Sequence, residues 1–216
     1  MSEYTVRDTK YIQNCHIYDL DESIRASKFP MSTTTRVSDK LSENTTKLGS
    51  CKLGTGHDNF LNGIRVSFDW TFSNKLSVEL ERYHFLDFVS SQSTMHRITK
   101  FNLKEQCNRH VDYRIIDIIQ EKINEYNRLL NFPPADSDAA RKAREKEMEG
   151  LYLDILYNIP SGFQLTARMT TNYRQLKTIY FQRKNHRLPE WREFCKWIEE
   201  LPYFRMMCLG GDVNES

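Results

Sequence analysis

The sequence predicts an α+β fold on three observations: two stretches alternate apolar and polar residues as half-buried strands do, five have the spacing or length of helices, and the composition (39% hydrophobic, 28% charged over 216 residues) is globular. Residues 32–50, STTTRVSDKLSENTTKLGS, are poor in apolar side chains and rich in Ser, Thr, Asn and Lys, which predicts a long mobile surface loop. Ile64, Val66, Phe68, Trp70 and Phe72 alternate with Arg65, Ser67, Asp69 and Thr71, the period of a strand with one buried face. From Asn74 to His96 the chain is dense in Leu, Val, Phe and Tyr without Gly or Pro, which predicts one long, buried helix. Ile115, Ile116, Ile119, Ile123, Tyr126 and Leu130 fall at helical spacing, and Pro133-Pro134 ends that helix.

A further helix starts at Asp136 or Ser137, crosses the charged stretch from Arg141 to Glu149 and turns apolar between Leu151 and Leu156. Pro160, Ser161 and Gly162 stop it. Phe163, Leu165, Ala167 and Met169 then alternate with Gln164, Thr166, Arg168 and Thr170 as a second strand. Thr171 or Asn172 caps a helix running to about Arg183, and a last helix begins at Pro189 with Trp191, Phe194, Ile198 and Leu201 on one face.

Several classes are excluded at this level. No apolar run approaches the ~20 residues that span a bilayer, and MSEYTVRDTK has no apolar segment of a secretory leader. Lys+Arg of 31 against Asp+Glu of 29, with a pI near 8.2, gives no reason to expect a nucleic-acid polymer as partner. Five cysteines without a Cys-x-x-Cys pair argue against a disulfide framework and a zinc ribbon, and for a reducing compartment. The expectation is one cytoplasmic domain over residues 1–216.

No glycine cradle for phosphate, no His-Glu-x-x-His and no Gly-x-Ser-x-Gly is present, so a nucleotide would be held by side chains and helix ends. The densest chemistry lies in His96-Arg97-Ile98-Thr99-Lys100-Phe101-Asn102 and Glu105-Gln106-Cys107-Asn108-Arg109-His110. Guanidinium forks there match phosphate and carboxylate geometry. The same residues also describe a solvated helix end with surface ion pairs.

This segment resembles the flavin-dependent thymidylate synthases, whose pattern reads Arg-His-Arg-x-x-Ser-x-Asn-Glu-x-Ser-x-Arg. His96-Arg97-Ile98 with Phe101-Asn102 matches its first half; after an insertion of Leu103-Lys104, Glu105, Cys107 and Arg109 match its second. Thr171-Asn172-Tyr173-Arg174-Gln175-Leu176, then Arg183, His186 and Glu190-Trp191-Arg192, is similar to the family's C-terminal pattern in order and spacing, with Pro160 preceding as the family's proline does. Ser23-Ile24-Arg25-Ala26-Ser27 and Gly56-His57 are looser matches.

The resemblance implies a thymidylate synthase-complementing-protein-like fold, with a central antiparallel or mixed sheet flanked by long helices, in a homotetramer. It implies FAD as cofactor, with NADPH and methylenetetrahydrofolate as co-substrates, and one-carbon transfer to C5 of a pyrimidine nucleotide such as dUMP. Carried over, His57, His96, Arg97, Asn172 and Arg174 lie at the flavin, and Gln92, Glu105, Cys107, Arg109 and Arg183 at the nucleotide. Met95, Lys100 and Leu156 depart from the pattern, the last standing where the family has a phosphate-binding Arg. These departures keep open a non-catalytic relative that binds a nucleotide or flavin as an interaction protein. Cys107 is read as a nucleophile activated by Arg97 or Arg109, or as a spectator thiol. His186 is a base or a packing residue, and Trp191, Phe194 and Trp197 are core, subunit interface or a folate-stacking set.

Overall fold

The computed structural model describes residues 4, 6–133 and 137–211. Pro134 and Asp136, where the sequence puts a helix stop and a helix start, lie outside them. A four-stranded sheet has the order β1-β2-β4-β3, with β1 Ile12–Tyr18, β2 Arg65–Ser73, β3 Asp87–Ser91 and β4 Gln164–Asn172. β1 runs antiparallel to β2. Tyr173 N donates to Ile64 O at one end of the β2–β4 pair and Asn74 N to Phe163 O at the other, so this pair is antiparallel as well. The fold is α+β.

The helices are α1 Leu20–Ala26, α2 Glu43–Gly49, α3 Asn74–Leu80, α4 Thr94–Arg97, α5 Leu103–Gln106, α6 Tyr113–Leu130, α7 Asp138–Asn158, α8 Tyr173–Arg183 and α9 Pro189–Glu199. Helices α6 to α9 and strands β2 and β4 stand where the sequence expects them. Ser137 caps α7 by accepting from Ala140 N, and Pro189 opens α9.

Two expectations are corrected. The stretch from Asn74 to His96 is not one helix: α3 ends at Leu80, a turn follows, and β3 then exposes all five of its residues. Its apolar density misled because Phe85 and Val89, each 62% exposed, serve no core. Nor is 32–50 one mobile loop. Ser42 Oγ accepts from Thr45 N and starts α2, which buries Thr45, Thr46 and Gly49. A Cβ at Gly49 would collide with the carbonyl of Met207. The remaining loop is tied to α1 by Arg25 on Thr35 O and Lys28 on Ser38 O and Lys40 O.

The chain divides into two compact units. The first comprises residues 1–70, 79–90 and 167–216, the second 71–78 and 91–166. The first is built on aromatic packing: Trp70 stacks on Phe194 at 4.1 Å and Phe68 lies 4.8 Å from Trp197. Trp191, Phe194 and Trp197 are all buried, so the alternatives of folate stacking and subunit interface give way to core. In the second unit Ile98, Leu103, Ile116, Ile119, Ile123, Ile155 and Phe163 make one core, against which Leu156 packs. The inserted Leu103 is thus absorbed as the buried residue of a new helical turn, with Asn102 capping Lys104 N.

Candidate functional site

In the first unit, β4 ends at Asn172, whose extended backbone and side-chain oxygen start α8 by accepting from Gln175 N at 2.9 Å. Buried Tyr173, Leu176 and Lys177 fix the rotation of α8 and leave Arg174 one-third exposed. Asp58, 1% exposed, faces this first turn: its Oδ1 accepts from Arg174 Nε at 3.0 Å and its Oδ2 from Lys177 Nζ at 2.8 Å. Lys177 also donates to Gly49 O and Cys51 O, each at 2.7 Å, so its three N–H groups have three acceptors. One carboxylate and two cations leave the cluster with a formal charge of +1. His57 is exposed and joins the group as the chain neighbour of Asp58.

Arg183 lies at the other end of α8, ~16 Å of helical rise from Asn172. Its Nε donates to Tyr83 Oη at 2.7 Å, an Nη lies 3.3 Å from Glu79, and the guanidinium stacks over the rings of Tyr83 and Trp191. Trp191 Nε1 donates to the same Glu79 carboxylate, and His186 Nε2 lies 3.5 Å from it while Nδ1 accepts from Leu188 N. His186 is therefore a packed helix-end histidine in this arrangement. Arg168, by contrast, reaches across the sheet from β4 to Asp69 and to the carbonyl of Asn14.

In the second unit, both halves of the polar motif fasten to the start of β4. Gln92 exchanges hydrogen bonds with Thr166, its backbone N donating to Thr166 O and its side-chain oxygen accepting from Thr166 N. Gln106 Nε2 donates to Gln164 O at 2.6 Å, and Cys107 bridges Phe163. His96 and Arg97 on α4, Glu105 on α5 and Arg109 after it are exposed. Arg109 Nε makes a long contact, 3.4 Å, to His110. Burial pushes the Cys107 thiol up rather than down, so the activated-nucleophile alternative gives way to a spectator thiol. Met95 is exposed and its carbonyl accepts from Tyr152 Oη, Lys100 is exposed, and Leu156 is partly buried against the core.

The structure thus gathers His57, Asn172 and Arg174 at one helix end, and Gln92 and Cys107 along one strand. Arg183 stands apart from the first group. Sequence reasoning missed Asp58, Lys177, Glu79 and Tyr83. The available signal was Lys177 itself, a cation on the α8 face that carries Tyr173, Leu176 and Tyr180. Among the described residues no cluster of His, Cys, Asp or Glu could hold a metal ion, and no helix is long and apolar enough to cross a membrane.

No protein-family profile matches the chain, and no curated protein matches it. Solved structures do. The flavin-dependent thymidylate synthase ThyX from Helicobacter pylori, complexed with FAD and dUMP, superposes with a TM-score of 0.65 at 14% identity, covering 92% of this chain and 99% of that one. A second structure of thymidylate synthase X from the same organism, also with FAD and dUMP, gives 0.64 at 15% identity over 91% and 95%. At such identity the likeness is one of fold, and it covers about nine-tenths of this chain.

Proposed function

We propose that the chain is an FAD-dependent enzyme that transfers a one-carbon group from methylenetetrahydrofolate to C5 of a pyrimidine nucleotide, dUMP or a close relative, with NADPH as reductant. The observation that carries this reading is Arg174. A one-third-exposed guanidinium at a capped helix start, in a cluster of net charge +1, fits the anionic diphosphate of a flavin cofactor, in a chain whose fold matches enzymes solved with FAD and dUMP. The flavin set proposed with Arg174 is Asn172, which caps its helix, and His57, the chain neighbour of Asp58, together with His96 and Arg97. Bound flavin supplies the redox chemistry; the chain's own groups bind, orient and offset charge. Gln92, Glu105, Cys107, Arg109 and Arg183 form the nucleotide set, with exposed Arg109 meeting phosphate. The same reading includes a single cytoplasmic domain assembled as a homotetramer, with folate as a partner.

A second reading, a non-catalytic binding relative, is favoured by Leu156, an apolar residue packed against the second unit's core where the family has a phosphate-binding Arg. It is favoured also by Arg183, already engaged by Glu79 and Tyr83. Incubating the purified chain with dUMP, methylenetetrahydrofolate, NADPH and FAD separates the two. Conversion to thymidylate is the expected result. A chain that binds FAD or dUMP with no turnover points to the binding relative.

A further inference from the structure

Asp58 and Lys177 are buried charges with no part in the flavin or nucleotide sets. Asp58 is 1% exposed and Lys177 fully buried, and burying two ions is costly unless they are paired and fully hydrogen-bonded. They are: Lys177 has Asp58 and two carbonyls, and Asp58 has Lys177 on one oxygen and Arg174 on the other. An Asp58–Arg174 pair alone would orient the guanidinium but offset its charge. Lys177, on the inner side of the carboxylate, restores that charge.

We infer that Asp58 and Lys177 are positioning residues for Arg174: Asp58 fixes the guanidinium through Nε, while Lys177 balances Asp58 so that Arg174 presents an uncompensated positive charge to an anion. The identity of that anion, though not the arrangement itself, rests on the reading of Arg174 as a flavin contact. The two functions are separable because an asparagine at 58 can still accept from Nε without carrying charge. Replacing Lys177 with Met brings the cluster's formal charge from +1 to 0; combining it with Asp58→Asn brings the charge back to +1.

The test is titration of the full-length chain with FAD, and separately with inorganic pyrophosphate, in low-salt buffer. Lys177→Met is expected to weaken both at least tenfold, the effect of a net charge a few ångströms away. The double variant Asp58→Asn/Lys177→Met is expected to return to within about threefold of wild type, a rescue that a merely structural role for Lys177 does not produce. Wild-type affinity in Lys177→Met, or a double variant as weak as the single, overturns the inference. Should Lys177→Met not fold, Lys177→Gln, which removes the charge and keeps N–H donors for the carbonyls of Gly49 and Cys51, decides: weaker pyrophosphate binding is expected, and wild-type affinity overturns the inference. Wild type that binds pyrophosphate in a Lys177-dependent way but not FAD removes the flavin reading and leaves the inference standing. Binding of neither removes both.

Discussion

The start of α8 and the segment from Gln92 to His110 both resemble one family in sequence, the first without interruption and the second across an insertion, and they are built differently. At the start of α8 Asn172 caps the helix and the charged groups fix one another: Asp58 ties Arg174, and buried Lys177 ties Asp58. Between Gln92 and His110 the backbone is anchored to β4, while His96, Arg97, Glu105 and Arg109 project into solvent. A motif residue can therefore be a part of the fold or an exposed head on it, and a sequence pattern does not distinguish the two. The practical consequence is an expectation: mutations in the first region should affect stability and binding together, whereas those at the exposed His96, Arg97, Glu105 and Arg109 should affect binding alone.

The largest contrast expected is in stability. Asp58→Ala leaves Lys177 buried without its carboxylate and should cost about 3–5 kcal/mol, whereas Arg109→Ala should stay within about 0.5 kcal/mol of wild type. Urea denaturation of the two variants reads both values. Equal stabilities would break the contrast.

Next comes binding. Arg174→Ala should weaken FAD by one and a half to four decades, the ~2–5 kcal/mol of a lost charge-assisted contact. Arg168→Ala, which removes a sheet contact to Asp69 and Asn14, should leave FAD affinity unchanged. In the second region, Arg109→Ala should abolish measurable dUMP binding by calorimetry while FAD still binds. Wild-type dUMP affinity in that variant would mean the nucleotide set is wrongly assigned.

How much of this was legible in the sequence follows the same division. The caps and amphipathic faces of α6 to α9 are local signals, and they were read. Strand β1 was not: only Ile12 is buried along it, and its pairing with β2 slips between Gln13 and His16, around Asn14 in the left-handed region at φ 52°. Strand β3 was not, since a fully exposed strand has no alternation to read. The Asn172-x-Arg174 helix start was legible because cap and cation lie within three positions. Its partner Asp58 was not, because 116 residues separate it from Arg174. Long-range pairing leaves no periodicity.

A smaller effect separates the regions by pH. Burial pushes the thiols of Cys15 and Cys195 up to about 12, and burial together with the Glu199 carboxylate pushes the Tyr180 phenol up to about 12, all in the first unit. Each neutral form is favoured by folding. The stability they contribute is complete below the unfolded thiol value near 9 and is lost as pH rises toward 12. Thermal melts should fall steadily above pH 9, with tryptophan fluorescence, which reports the first unit's Trp70, Trp191 and Trp197, changing first. A flat alkaline profile would contradict the burial of these groups. The smallest effect is chemical: half-buried Cys107 should react with a thiol reagent at neutral pH before buried Cys195 and Cys208 do, read by mass spectrometry of timed samples.

The most direct measurement is equilibrium titration of the full-length wild-type chain with FAD, followed by visible absorbance and by protein-bound flavin after gel filtration. One flavin bound per chain, retained through the column and lost on Arg174→Ala, is the result expected from a fixed guanidinium facing an anionic cofactor. A chain that stays colourless at saturating FAD, or that holds flavin equally well without Arg174, would contradict the assignment of the α8 start as the flavin site.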